Sequence, residues 1–119
     1  MNIKEFYASF DPSGTEYANV MGRLGTERLV SKYLNKMVDD KSFGNLKKAV
    51  ASGDYKEAFM ASHTIKGICM NLKLKPLAES SEALTEELRN TPDAGKVETL
   101  LSKVEEDYVF ITEGIKNIG

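Results

Sequence analysis

The chain is short of several things, and each shortage removes a class of function. It has one cysteine, Cys69, so an internal disulfide is impossible and a reducing cytoplasm is the simplest location. It has one histidine, His63, and a single imidazole with a single thiol leaves a structural zinc site short of good ligands. Any Ser-His-Asp or Cys-His hydrolase built on this chain would have to use that same imidazole. No apolar run approaches the roughly 20 residues that cross a bilayer. The opening Met1-Asn2-Ile3-Lys4-Glu5-Phe6 lacks the charged-then-apolar layout of a signal peptide. Nor is there a basic excess: 16 Lys and Arg against 18 Asp and Glu give a formal net charge of −2, which argues against nucleic acid and anionic membranes as partners.

Strand signals are also nearly absent, with no run of alternating β-branched residues and no Asn-Gly or Asp-Gly turn between two apolar runs. Helical signals fill the space. After the Asp11-Pro12-Ser13-Gly14 turn, a short helix is predicted over 15–22, and Gly25-Thr26 reads as a stop followed by an N-cap. Leu29, Val30, Tyr33, Leu34, Met37 and Val38 then recur at three-and-four spacing. A break over 39–42 precedes Phe43, Leu46, Ala49 and Val50. Asp54 caps the next helix, with Glu57 placed to complete a capping box. Pro76 suits the first turn of a following helix, whose inward stripe is Leu77, Ala78, Ser81, Leu84, Thr85 and Leu88. Asn90-Thr91-Pro92-Asp93 breaks the pattern again before Val97, Leu100, Leu101, Val104, Tyr108, Ile111 and Ile115. Connections of two to six residues make successive long helices antiparallel. The expectation is an all-α, antiparallel up-and-down four-helix bundle with a short additional N-terminal helix, one domain over 1–119 with its core over about 15–117.

The helix predicted over 54–72 carries the functional argument. On a wheel at about 100° per residue, Tyr55, Ala58, Ser62, Ile65, Cys69 and Leu72 share the core side. His63 falls almost opposite. The only imidazole is therefore expected to be exposed at the middle of a long helix. Lys66 lies one turn beyond it, suited to balancing the charge of a phosphoryl group. Gly67 sits inside a strong helical pattern, where glycine costs roughly 1 kcal/mol relative to alanine. Its missing side chain would let another molecule or a phosphoryl group approach the ring. Phe59 and Met70 are expected as large apolar side chains on the same solvent face, the mark of a docking surface. Each residue also has a plainer reading: a solvated lysine, a tolerated glycine, the rim of a wide core stripe. The plain reading needs four coincidences around one histidine.

These residues resemble a known family. Ala61-Ser62-His63-Thr64-Ile65-Lys66-Gly67 is similar to the histidine phosphotransfer (HPt) motif, His-x-x-Lys-Gly with an aliphatic residue before the lysine. Ser52-Gly53-Asp54-Tyr55 upstream, and Asn71-Leu72 with Leu74-Lys75-Pro76-Leu77 downstream, extend the likeness. Arg23-Leu24-Gly25 and the Leu29-to-Met37 stripe resemble the family's N-terminal helices. The likeness covers roughly 15–115, although only the histidine helix and its flanks are specific. It implies a four-helix bundle with His63 as phosphoacceptor on Nε2, Lys66 holding or neutralising the phosphoryl group, Gly67 keeping the approach open, and Phe59 and Met70 docking a partner. It also implies no nucleotide site, no ATP-binding or kinase domain and no cofactor of its own. A partner receiver domain supplies the aspartate and the Mg²⁺. Two positions depart from the pattern: Lys73 stands where the family commonly has glycine, and Met70 where it favours a small residue.

On that resemblance the chain is a cytoplasmic, monomeric phosphorelay carrier between the receiver domain of a hybrid histidine kinase and that of a response regulator. A start at Met1 and an end just past the last helix favour a stand-alone carrier. Two other readings stay open: an HPt-like adaptor that docks receivers without accepting phosphate, and the phosphoacceptor domain of a chemotaxis-type kinase. A free-standing enzyme comes last, since no carboxylate or thiol is expected beside His63.

Overall fold

The computed structural model describes all 119 residues. Seven helices follow one another: α1 (Ile3–Ala8), α2 (Thr15–Leu24), α3 (Glu27–Asp39), α4 (Ser42–Ala51), α5 (Tyr55–Asn71), α6 (Lys75–Arg89) and α7 (Ala94–Lys116). There are no strands. Several boundaries fall where side chains can satisfy the free N–H groups of a first turn. Thr26 accepts from the Leu29 N–H to open α3, Asp54 from the Glu57 N–H to open α5, and Asp93 from the Lys96 N–H to open α7. The Asp54 cap is only half of the expected box, because the Glu57 side chain does not reach back. A complete capping box stands at Asn2 and Glu5, at the start of a helix the apolar periodicity did not reveal.

The bundle proper consists of α5, α6, α7 and the pair α3–α4. Helices α3 and α4 do not pack side by side; α3 touches α2 and α7, while α4 touches α5 and α7. Direction can be read from cross-helix partners. Phe59 meets Arg89 and Ser62 meets Ser81 and Thr85, so α5 and α6 run antiparallel. Phe43 stacks on Tyr108 and Lys47 pairs with Glu105, which sets α4 antiparallel to α7.

One core of 22 buried apolar residues runs through the bundle. At about 1.5–3 kcal/mol per large buried side chain, that burial is the main stabilising force. Helix α1, outside the expected 15–117 core, contributes Ile3, Phe6 and Tyr7 to it. The Tyr7 hydroxyl donates a 2.6 Å hydrogen bond to the Leu72 carbonyl oxygen at the C-terminal end of α5. Phe6 lies so close to α7 that a Cβ at Gly114 would come within 2.7 Å of its ring. Between α5 and α6 the buried hydroxyls of Ser62 and Thr85 approach to 2.8 Å and share the Ser81 carbonyl oxygen. Small side chains there bring the two backbones close and satisfy each buried polar atom.

Candidate functional site

Helix α5 presents two faces. Ala58, Ala61, Ser62, Ile65 and Cys69 are buried, as the core stripe requires, and Tyr55 is partly buried. His63 is exposed near the middle of the helix, together with Met60, Thr64, Gly67 and Met70. Burial pushes the Cys69 thiol from 9.0 up to about 12, which favours the protonated thiol near neutral pH.

Of the expected residues, Phe59 is the one whose side chain lies against the imidazole, while Lys66, Gly67 and Met70 follow it on the same helix. Lys66 and Phe59 are partly buried rather than free in solvent. The Phe59 ring lies nearly parallel to that of His63, with centroids 5.9 Å apart and planes 11° from coincidence. The Arg89 guanidinium of α6 sits 5.3 Å from the Phe59 centroid. Arg89 is itself held by two hydrogen bonds to Glu86, and that ion pair, aided by Lys66, holds the Glu86 carboxyl below the usual carboxylate range. Met70 is 52% exposed and Met60 56% exposed, so two flexible thioether chains stand on the histidine's face.

Gly67 adds a geometric clue. Beyond its chain neighbours and the backbone of its own helix, a Cβ built there would meet nothing within 4 Å. Packing inside the protein therefore gives no reason for a glycine in mid-helix, where alanine is favoured by roughly 1 kcal/mol. The open space lies on the face of His63.

Lys73, the first of the two departures from the motif, sits at the end of the histidine helix. Its φ of 56° puts it in the left-handed region where glycine is at ease. The Leu74 N–H donates to the Cys69 carbonyl and the Lys73 N–H to the Met70 carbonyl, the Schellman termination of a helix. The helix end keeps its geometry, with a lysine in the strained position. Nearby, Arg23 donates to the Asn71 side-chain oxygen at 2.7 Å, tying the end of α2 to the end of α5. A cleft of about 370 Å³ opens beside this tie between Tyr33, Met37, Ile68 and Leu72, not at the imidazole.

Met60, Glu86 and Arg89 were missed from the sequence. Met60 was within reach, since three residues before His63 is the same helical face. Arg89 and Glu86 come from another helix, and only the α5–α6 register brings them in.

Fold and site together define a class: a helical bundle that displays one imidazole, flanked by a lysine and a glycine, on the open face of a central helix. The chain belongs to the Hpt domain family, whose model matches residues 28–109, well over half of its length. Its place is thus in histidine phosphotransfer of two-component signalling, where Hpt domains interact with receiver domains. No curated protein and no solved structure matches it significantly. No helix is long and apolar enough to cross a membrane.

Proposed function

We propose that this chain is a monomeric, cytoplasmic phosphorelay carrier: His63 takes a phosphoryl group from the receiver aspartate of a hybrid histidine kinase and gives it to the receiver of a response regulator. The carrying observation is the exposed His63 imidazole beside a mid-helix glycine that no internal packing explains. In the forward step the Nε2 lone pair forms a bond to phosphorus as the bond from phosphorus to the aspartate oxygen breaks. The bonding electrons leave on the carboxylate. The return step reverses this on the second receiver. Lys66 balances the added charge one turn away, and Gly67 leaves room for the partner's loops. Met70 and Phe59, joined by Met60, offer apolar contact to the receiver. Mg²⁺ and the remaining positioning groups belong to the receiver.

The test is phosphotransfer from a panel of phosphorylated receivers, with His63→Gln run alongside. An acid-labile, base-stable label on the native chain that disappears in the variant is expected. Receiver binding without any label would instead make this an adaptor. Labelling only by a kinase domain would make it a chemotaxis-type phosphoacceptor.

A further inference from the structure

The imidazole of His63 is exposed, and no side chain or backbone group of the protein hydrogen-bonds either ring nitrogen. A ring so placed would rotate freely about its bond to Cβ. The group that lies beside it is the nearly parallel ring of Phe59. The two residues are four apart on α5, so their side chains share one helical row. Their centroid separation and near-parallel planes fall within the favourable range for offset aromatic stacking. Phe59 is in turn constrained: it is partly buried against the core and has the Arg89 guanidinium over its ring. Glu86 fixes that guanidinium by accepting from both Nε and Nη2. A chain of contacts therefore runs from α6, through Glu86, Arg89 and Phe59, to the plane of the imidazole.

We propose that Phe59 is a positioning residue for phosphoryl transfer, holding the His63 ring in the plane from which Nε2 attacks, with Arg89 and Glu86 bracing it. This rests on the reading of His63 as phosphoacceptor. The chemistry makes the plane matter. The nucleophilic lone pair of an imidazole nitrogen lies in the ring plane, and in-line displacement needs it opposite the departing aspartate oxygen. During the step the Nδ1 proton stays in place, the Nε2 pair makes the N–P bond, and the O–P pair departs with the carboxylate. Fixing the plane reduces a rotational search to two ring orientations, which lowers the entropy cost of the transition state. Phe59 does this without occupying either nitrogen.

Phe59→Leu and Phe59→Tyr separate positioning from docking and packing. Leucine keeps apolar bulk, tyrosine keeps the ring. NMR of the two carbon-bound imidazole protons reads the stack directly: the upfield ring-current shift from Phe59 is lost in the leucine variant and kept in the tyrosine variant. With a phosphorylated receiver as donor, Phe59→Leu slows transfer at saturating receiver roughly 10- to 100-fold with KM nearly unchanged, and Phe59→Tyr recovers the rate. Unchanged imidazole shifts in Phe59→Leu would overturn the stack. A native rate at saturation, or a loss confined to KM, would overturn the positioning role while leaving the relay intact. If the native chain takes no phosphoryl group from any receiver, the relay reading fails and the positioning role with it, and the NMR shifts then report packing alone.

Discussion

Tyr7 and Leu72 are 65 positions apart in sequence, and the tyrosine hydroxyl closes the last turn of the histidine helix by donating to the leucine carbonyl. Burial of that hydroxyl, with Glu16 and then Cys69 adding to it, raises its pKa well above the ordinary tyrosine value of 10.0. Tyr7→Phe keeps the ring and removes the donor, so it isolates the hydrogen bond. The cost expected is about 1–3 kcal/mol, the range for an orphaned buried acceptor, measured by urea unfolding at neutral pH.

The same burial predicts a pH dependence. Tyr7 and Cys69 both have folded-state pKa values raised above their ordinary values of 10.0 and 9.0. The unfolded chain therefore releases these protons at lower pH than the folded chain does. Their contribution is intact below about pH 9 and is lost as pH rises from there toward the folded-state values. Unfolding midpoints should fall across that alkaline range, and the fall should be shallower in Tyr7→Phe. An identical alkaline profile in the variant would contradict the assignment.

Two glycines inside helices make opposite predictions. At Gly114 a methyl group would collide with the Phe6 ring, so Gly114→Ala should destabilise by about 1–3 kcal/mol. At Gly67 nothing is in the way, so Gly67→Ala should gain roughly 0.5–1 kcal/mol from helix propensity. If the open space serves a partner, that same variant should slow receiver-dependent phosphorylation tenfold or more on the order expected for ångström-scale misplacement. Thermal melts and transfer assays on one preparation decide the matter. A more stable and fully active Gly67→Ala protein would leave the glycine unexplained.

Lys73 occupies a left-handed position at a strain cost that a glycine would not incur. Lys73→Gly should therefore stabilise by about 1 kcal/mol and raise Tm by a few degrees, since the Schellman bonds are already in place. Lowered stability would mean that the lysine side chain makes a compensating contribution.

On the proposed relay reading, Lys66 lies one helical turn from His63 and would meet the phosphoryl charge. Lys66→Gln should leave the fold and receiver binding intact and slow transfer by about 10- to 100-fold, on the scale of removing one preorganised donor from a charged transition state. Rapid-quench rates at saturating receiver give the comparison; an unchanged rate would assign the charge balance to the receiver alone.

Much of this was legible in the sequence wherever physics is local. Thr26, Asp54 and Asp93 mark helix starts because capping is settled within three residues. The outward position of His63 follows from the spacing of Ala58, Ser62, Ile65 and Cys69 on one helix. Helix α1 escaped because six residues give an apolar stripe only Ile3, Phe6 and Tyr7 to show itself, although Asn2 and Glu5 already formed a capping signature. The full capping box expected at Asp54 failed because the Asp54 N–H already donates to the Ala49 carbonyl, leaving no donor for the Glu57 side chain. The brace of Arg89 on Phe59 was invisible for a different reason. It depends on how far α6 slides along α5, and that register is fixed by Ser62, Ser81 and Thr85 meeting in the core.

One imidazole on one face also limits traffic. On the proposed relay reading, a carrier of this shape has a single berth: it holds one phosphoryl group, and a receiver seated over His63 excludes every other receiver. Donor and acceptor must then alternate, and the carrier has no valve to favour either. The direction of net flow is left to the relative abundance of the two receivers and to how quickly each loses its own phosphoryl group, so the same bundle can load a regulator or drain it.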